Sequence, residues 1–157
     1  MIVIMATFTV ATGEAAANKF HEAFAAGFAR NNHAETMAGL CADKVAVDWS
    51  DGFSGDKTPA EIFAQFASSW GFMVSNFLYK PDVLVDTTNS KVIMSGRLII
   101  NIDGKLGSPN LIDNKIAFVL KYDGAGKICE WIGYWDQGYA PMLEALGKVS
   151  KALEAAK

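Results

Sequence analysis

From residue 72 to residue 136 the sequence is built of long strand-type segments separated by short clusters of turn-forming residues. The segments are Phe72–Asp86, Lys91–Asp103, Asn114–Tyr122 and Lys127–Asp136. Alternation of apolar and polar residues is the mark of a strand with one buried face. The joins are Thr87–Ser90, a loop from Asp103-Gly104 through Gly107, Ser108 and Pro109, and Asp123-Gly124-Ala125-Gly126. Joins this short favour antiparallel neighbours. Pro81 marks a bend or an edge in the first segment, because proline cannot donate to a ladder. Strands of this length twist strongly, and their apolar face requires a second layer.

The rest of the chain supplies that layer. Phe20, Phe24 and Phe28 recur every four residues and are joined by Ala17 and Gly27, which predicts a helix over Gly13–Asn32 with Thr12 as N-cap. A short helix follows over Ala34–Cys41, with Met37 and Leu40 on one side. Val45, Val47 and Trp49 alternate within Lys44–Trp49, which reads as a strand, and Asp51-Gly52 and Ser54-Gly55 read as turns. Thr58-Pro59-Ala60-Glu61 is a helix start: a capping threonine, proline at the first helical position and a glutamate that completes the capping box. That helix carries Ile62, Phe63, Phe66 and Trp70 and ends near Trp70-Gly71. A closing helix spans Tyr139–Ala156, with Pro141 in its first turn and Met142, Leu143, Leu146, Val149 and Leu153 apolar. The expected fold is α+β: a curved antiparallel sheet with N-terminal helices on one face, enclosing a cone-shaped pocket.

The chain has 157 residues, enough for one domain with a sizeable core. Its apolar fraction is 51% and its mean hydropathy is +0.16, which fits a lined cavity, a buried oligomer interface or a well-filled core. The net charge is −3 and the pI about 5.3. Lysines are scattered without a basic stripe, which argues against a nucleic-acid partner. Cys41 and Cys129 lack metal-ligand spacing and read as free buried thiols, pointing to a reducing, cytoplasmic setting. Met1–Met5 is too short and lacks the basic start of a signal peptide, so residues 1–12 read as a leader and 13–157 as a single domain. No stretch reaches the 18 apolar residues of a membrane span. A glycine-rich phosphate loop, H-E-x-x-H and G-x-S-x-G are all missing, and no cofactor or metal is expected.

At this point the residues carry a resemblance. The aromatic first helix, the strand Val45-Ala46-Val47-Asp48-Trp49 leading into a glycine turn, the Thr58-Pro59-Ala60-Glu61-Ile62-Phe63 helix start, and the last strands with Asp123-Gly124-Ala125-Gly126-Lys127-Ile128 and Tyr134-Trp135-Asp136 resemble the nuclear transport factor 2-like superfamily. Within it the chain is similar to the SnoaL-like polyketide cyclases and related isomerases, over roughly residues 13 to 147. The resemblance implies a pocket framed by helices and the concave sheet face, an acid or base on the last strand at Asp136, and dimerisation through the outer sheet face. The chain departs from ketosteroid-isomerase-like members, which place a base at the end of the first strand: here Trp49 stands there, with Asp48 on the opposite face. It also departs from SnoaL-like members that carry a histidine on the penultimate strand, since Asn114–Tyr122 has none.

Plain alternation groups Ile128, Glu130, Ile132, Tyr134 and Asp136 on one face of the last strand. If that face lines the pocket, Asp136 acts as general acid or base, with burial raising its pKa, and Tyr134 hydrogen-bonds an enolate oxygen. Trp49, Phe24, Phe63, Phe66, Trp70 and Tyr79 are candidate pocket walls. Asn101, a further candidate ligand-binding residue, shares a strand face with Arg97, for which Glu130 is a candidate partner, with the outer face favoured for that pair. His21 and His33 read as surface or helix-end residues. Two readings stay open: a cofactor-independent isomerase or cyclase acting on a small apolar molecule, and a non-catalytic ligand-binding or homodimerisation module.

Overall fold

The structure is a computed structural model that describes residues 7–30, 32–70, 74–101 and 111–135. Its elements, in chain order, are α1 (Val10–Arg30), α2 (His33–Thr36), β1 (Cys41–Trp49), β2 (Ser54–Lys57), α3 (Pro59–Trp70), β3 (Val74–Asp86), β4 (Lys91–Asn101), β5 (Leu111–Tyr122) and β6 (Ile128–Trp135). The six strands form one sheet in the order β2-β1-β6-β5-β4-β3. It is an α+β fold, a curved open sheet with the N-terminal helices packed on it. The predicted closing helix and the loop with Gly107, Ser108 and Pro109 lie outside the described residues.

Local chemistry fixes the element ends. Thr9 rather than Thr12 caps α1: Thr12 N donates to Thr9 Oγ1 at 3.1 Å, and Thr9 N donates to Thr12 Oγ1 at 2.7 Å. The helix therefore starts three residues before the predicted Gly13. Thr58 and Glu61 form the predicted capping box, with Thr58 N donating to Glu61 Oε2 at 2.7 Å. Asp86 Oδ1 accepts from Thr88 N at 3.0 Å and Asn89 N at 3.1 Å, closing the β3–β4 turn. Asp123 Oδ1 does the same for Ala125 N and Lys127 N, each at 2.9 Å, and Gly126 takes the left-handed conformation at φ 74° that the β5–β6 turn needs.

Two features differ from expectation. Ser54-Gly55, expected as a turn, opens the short strand Ser54–Lys57, paired antiparallel to β1 with Val47 opposite Gly55. The β1–β6 pair is parallel, Trp49 opposite Gly133, while the other neighbours are antiparallel. The first strand thus enters the sheet beside the last one, extended by one residue at Ser50. The Ser50 hydroxyl donates to Trp135 O at 3.1 Å and accepts from Trp135 N at 3.2 Å.

Register gives each sheet face its rows. Toward the helices, Val83, Met94, Phe118, Gly133 and Trp49 lie side by side across five strands, with Val85, Val92, Leu120, Trp131 and Val47 in the next row. The helix α1 covers this face with a stripe of Gly13, Ala17, Phe20, Phe24, Gly27 and Phe28, all buried. On the outer face Leu84, Ile93, Val119 and Ile132 form one row, and Asp82, Ser95, Ala117 and Tyr134 the next.

Candidate functional site: an aromatic enclosure

The space between α1, α3 and the inner sheet face is filled by rings in contact. Phe66 of α3 sits among them, its centroid 4.9 Å from Phe24, 5.0 Å from Trp49, 5.7 Å from Trp131 and 4.9 Å from His33. Phe20 and Phe118 close the cluster on Trp131, at 5.1 and 5.6 Å with near-perpendicular planes. Such edge-to-face pairs contribute about 0.5–1.5 kcal/mol each beyond area burial. Of the expected wall residues, Trp49, Phe24, Phe63 and Phe66 are brought together here. Tyr79 and Asn101 pair by backbone register with Arg97 and Val74, and Trp70 ends α3; the side chains of all three lie outside the described residues.

Gly133 makes this crowding possible. It stands between Trp131 and Trp135 on the inner face of β6, and an added Cβ would lie 2.6 Å from Trp135 Cζ3 and 3.0 Å from Trp49 Cδ1. Both indoles fold over the vacancy that glycine leaves.

His33, read from the sequence as a surface or helix-end residue, is the first residue of α2 and is buried in the enclosure. It is only 7% exposed. Its ring stacks on Phe66 with planes 24° apart, meets Phe28 edge-on at 4.5 Å and lies 5.2 Å from Phe24. It rests directly on α1 at Gly27, where a Cβ would come within 2.4 Å of the imidazole Cδ2. Asn32 holds it there by capping α2, accepting from Glu35 N at 3.2 Å. Burial pulls the His33 pKa down to about 4, so the imidazole is neutral at pH 7.

Three polar atoms in this enclosure are buried without a hydrogen-bond partner: His33 Nε2, Trp49 Nε1 and Trp131 Nε1. More than nine in ten buried polar groups in native proteins are paired, so three orphans around one phenylalanine are a distinctive concentration. Each costs about 1–3 kcal/mol. The two cysteines lie elsewhere and are free and half-buried. Burial pushes the Cys41 thiol up to about 11 and also raises that of Cys129, so neither is a ready nucleophile at neutral pH.

The last strand corrects the expected face grouping. One step along β5, from Lys121 to Tyr122, spans two residues of β6, from Glu130 to Ile128. Cys129 is therefore bulged, and beyond it Trp131, Gly133 and Trp135 face inward. Tyr134 points outward and is 55% exposed, away from Trp49, Phe24 and Phe66. There it lines an open groove of about 610 Å³ with Ser95, Ala117, Arg97, Lys115 and Asp82. Arg97 is exposed on this outer face, as the sequence favoured. Its expected partner Glu130 instead pairs with Lys91 at 2.8 Å. Asp136 lies outside the described residues.

No protein-family model matches the chain, and no curated protein matches it. Solved structures do. The BvnE pinacolase of Penicillium brevicompactum superposes with a TM-score of 0.66 at 13% identity, covering 94% of this chain and 97% of its own. A candidate polyketide cyclase from Pseudomonas putida KT2440 gives 0.62 at 16% identity, covering 78% and 90%. An NTF2-like protein from Anabaena variabilis gives 0.60 at 19% identity, covering 85% and 96%. At these identities the likeness speaks to architecture. With a helix-covered curved sheet matched over most of both chains, this chain adopts the nuclear transport factor 2-like fold.

Proposed function

We propose that the chain binds a small, largely apolar molecule bearing hydrogen-bonding oxygens between α1, α3 and the inner sheet face, and acts on it as a cofactor-independent isomerase or cyclase. The observation that carries this reading is the pair of indole N–H groups, Trp49 Nε1 and Trp131 Nε1, buried among aromatic rings with no acceptor. An indole N–H only donates, so the missing partner is an oxygen such as a carbonyl. Aromatic walls with a few fixed polar groups are the usual make-up of a small-molecule site. That a pinacolase is among the structures of similar fold supports the enzymatic reading.

Asp136 is the acid–base group in this proposal. It follows Trp135, whose ring lies 6.0 Å from Trp49 and which ends the described part of β6, so its grouping with Tyr134 by plain alternation is not carried into this proposal. Tyr134, exposed on the outer face, takes no part. The test is deuterium exchange at the carbon next to the carbonyl of 1-tetralone in D2O, followed by proton NMR. The chain should accelerate exchange, and Asp136→Asn should abolish the acceleration without moving the melting temperature. Binding of 1-tetralone without exchange would favour a non-catalytic ligand-binding protein. Neither binding nor exchange with any bicyclic ketone would refute the functional reading.

A second reading concerns assembly, and the outer face favours it. Leu84, Ile93, Val119 and Ile132 lie side by side there, and Leu84 is 67% exposed. An apolar row across four neighbouring strands fits a second copy of the same sheet face. Sedimentation equilibrium should report a homodimer, and Leu84→Lys with Ile93→Lys should return a monomer. A monomeric unmodified chain removes this reading and leaves the ligand site in place.

A further inference from the structure

We propose that the enclosure is a closed chamber in which the Phe66 ring occupies the ligand's place, and that His33 selects the ligand by accepting a hydrogen bond from its hydroxyl group. This rests on the reading of the enclosure as the ligand site. Each of the three orphaned side chains in the cluster is a neighbour of Phe66: His33 at 4.9 Å, Trp49 at 5.0 Å and Trp131 at 5.7 Å. The ring that fills the space between them carries no polar atom and satisfies none of them. A flat molecule seated there gives up the stacking on His33 and turns its edge to the imidazole, so that its hydroxyl meets the Nε2 lone pair in the ring plane and its acceptor oxygen meets an indole N–H. The cost of three orphans then becomes recognition energy, realised on binding.

The three atoms also divide the ligand's chemistry. The indoles donate. Neutral His33 carries one ring proton, here assigned to Nδ1, which leaves the lone pair of Nε2 to accept. The matching molecule is a planar or near-planar ring compound with both a hydroxyl and a carbonyl or ether oxygen. His33 is held for this role by the backbone rather than by chance packing. Gly27 provides the seat, since a Cβ there would stand 2.9 Å from Nε2 itself. The capped first turn of α2 fixes the direction from which the imidazole enters. A leucine would fill the same space without an unpaired nitrogen, so packing gives no reason for histidine at this position.

Phe66→Ala should open a slot for one aromatic ring; an apolar cavity of about 150 Å³ suffices to bind benzene. Three probes report on it by calorimetry and by quenching of tryptophan fluorescence: phenol, which donates, methoxybenzene, which only accepts, and benzene. Phe66→Ala is expected to bind phenol at least about tenfold more tightly than benzene, the equivalent of one satisfied buried hydrogen bond. Adding His33→Leu should collapse that preference to within about twofold and leave methoxybenzene affinity unchanged. A phenol preference that survives His33→Leu overturns the proposal, as does a folded Phe66→Ala that takes none of the probes. If Phe66→Ala does not fold, Phe66→Leu serves with the same two outcomes. Binding by Phe66→Ala beside an unmodified chain that takes no ketone would sink the functional reading and leave the His33 chemistry standing.

Discussion

Acid should unfold this chain partly through one imidazole. His33 has an ordinary pKa of 6.5 and is held near 4 in the folded state by burial. The folded chain therefore refuses a proton that the unfolded chain accepts between these values. Stability is fully present above pH 6.5 and is lost as pH falls toward 4. One pKa unit is worth about 1.4 kcal/mol, so the drop from 6.5 to about 4 corresponds to about 3 kcal/mol at the acid end. The charged side chains beside it in sequence, Arg30 and Glu35, are exposed and lie 3.9 Å apart, while the faces of α1 and α3 against the imidazole are phenylalanine and glycine. At a urea slope of about 1–3 kcal/mol/M, that loss moves the midpoint by about 1–3 M. The assay is urea unfolding at half-unit steps from pH 7.5 to 4, for the unmodified chain and His33→Leu. Glu61 and Asp86, whose carboxyls are held below the usual range by hydrogen bonds from Thr58 and Asn89, destabilise both chains alike as pH falls. The difference between the two curves isolates the imidazole. His33→Leu should match or exceed the parent at every pH, with the gap widening below 6.5. Parallel curves would refute the reasoning, and nitrogen-15 NMR titration of the His33 ring in the unmodified chain checks the same pKa directly.

Gly27→Ala should lower the melting temperature despite the better helix propensity of alanine, because its Cβ meets the His33 ring at 2.4 Å; overpacking of this kind costs about 1–3 kcal/mol against about 1 gained from propensity. Gly133→Ala should be destabilising by a similar amount and should change the tryptophan emission spectrum, since the clash falls on Trp135 and Trp49. Thr58→Ala should cost about 1 kcal/mol by removing the cap of α3, read by thermal unfolding, with Phe66 loosened as that helix frays.

The architecture was readable because its signals are local. The phenylalanine repeat of α1, the Thr58–Glu61 capping box and the aspartate turns at Asp86 and Asp123 each satisfy backbone or burial demands within a few residues. What escaped prediction depends on distant partners. The parallel join of β1 to β6 is invisible in either strand, as is the Ser54–Lys57 edge strand, which exists because β1 offers it a ladder. Cys129 reverses the inward face of β6 with a bulge that no composition announces, and this carried Tyr134 outside. His33 left a faint trace: a glycine, Gly27, inside an otherwise bulky inward stripe, marking a place where something else must lie close. The interior placement of Trp49, Phe24, Phe63 and Phe66 was readable because large aromatics on inward faces have few other places to go.

The parallel join between the first and last strands also sets a schedule for synthesis. Ser50 and its partner Trp135 are 85 residues apart, and a ribosome adding about 5–20 residues per second takes about 4–17 s to cover that distance. Throughout that interval β1 has only the short β2 beside it, and Trp49, Phe63 and Phe66 have no Trp131 to close on. The nascent chain carries this aromatic surface uncovered until β6 emerges, and a pairing between strands so distant in sequence slows folding.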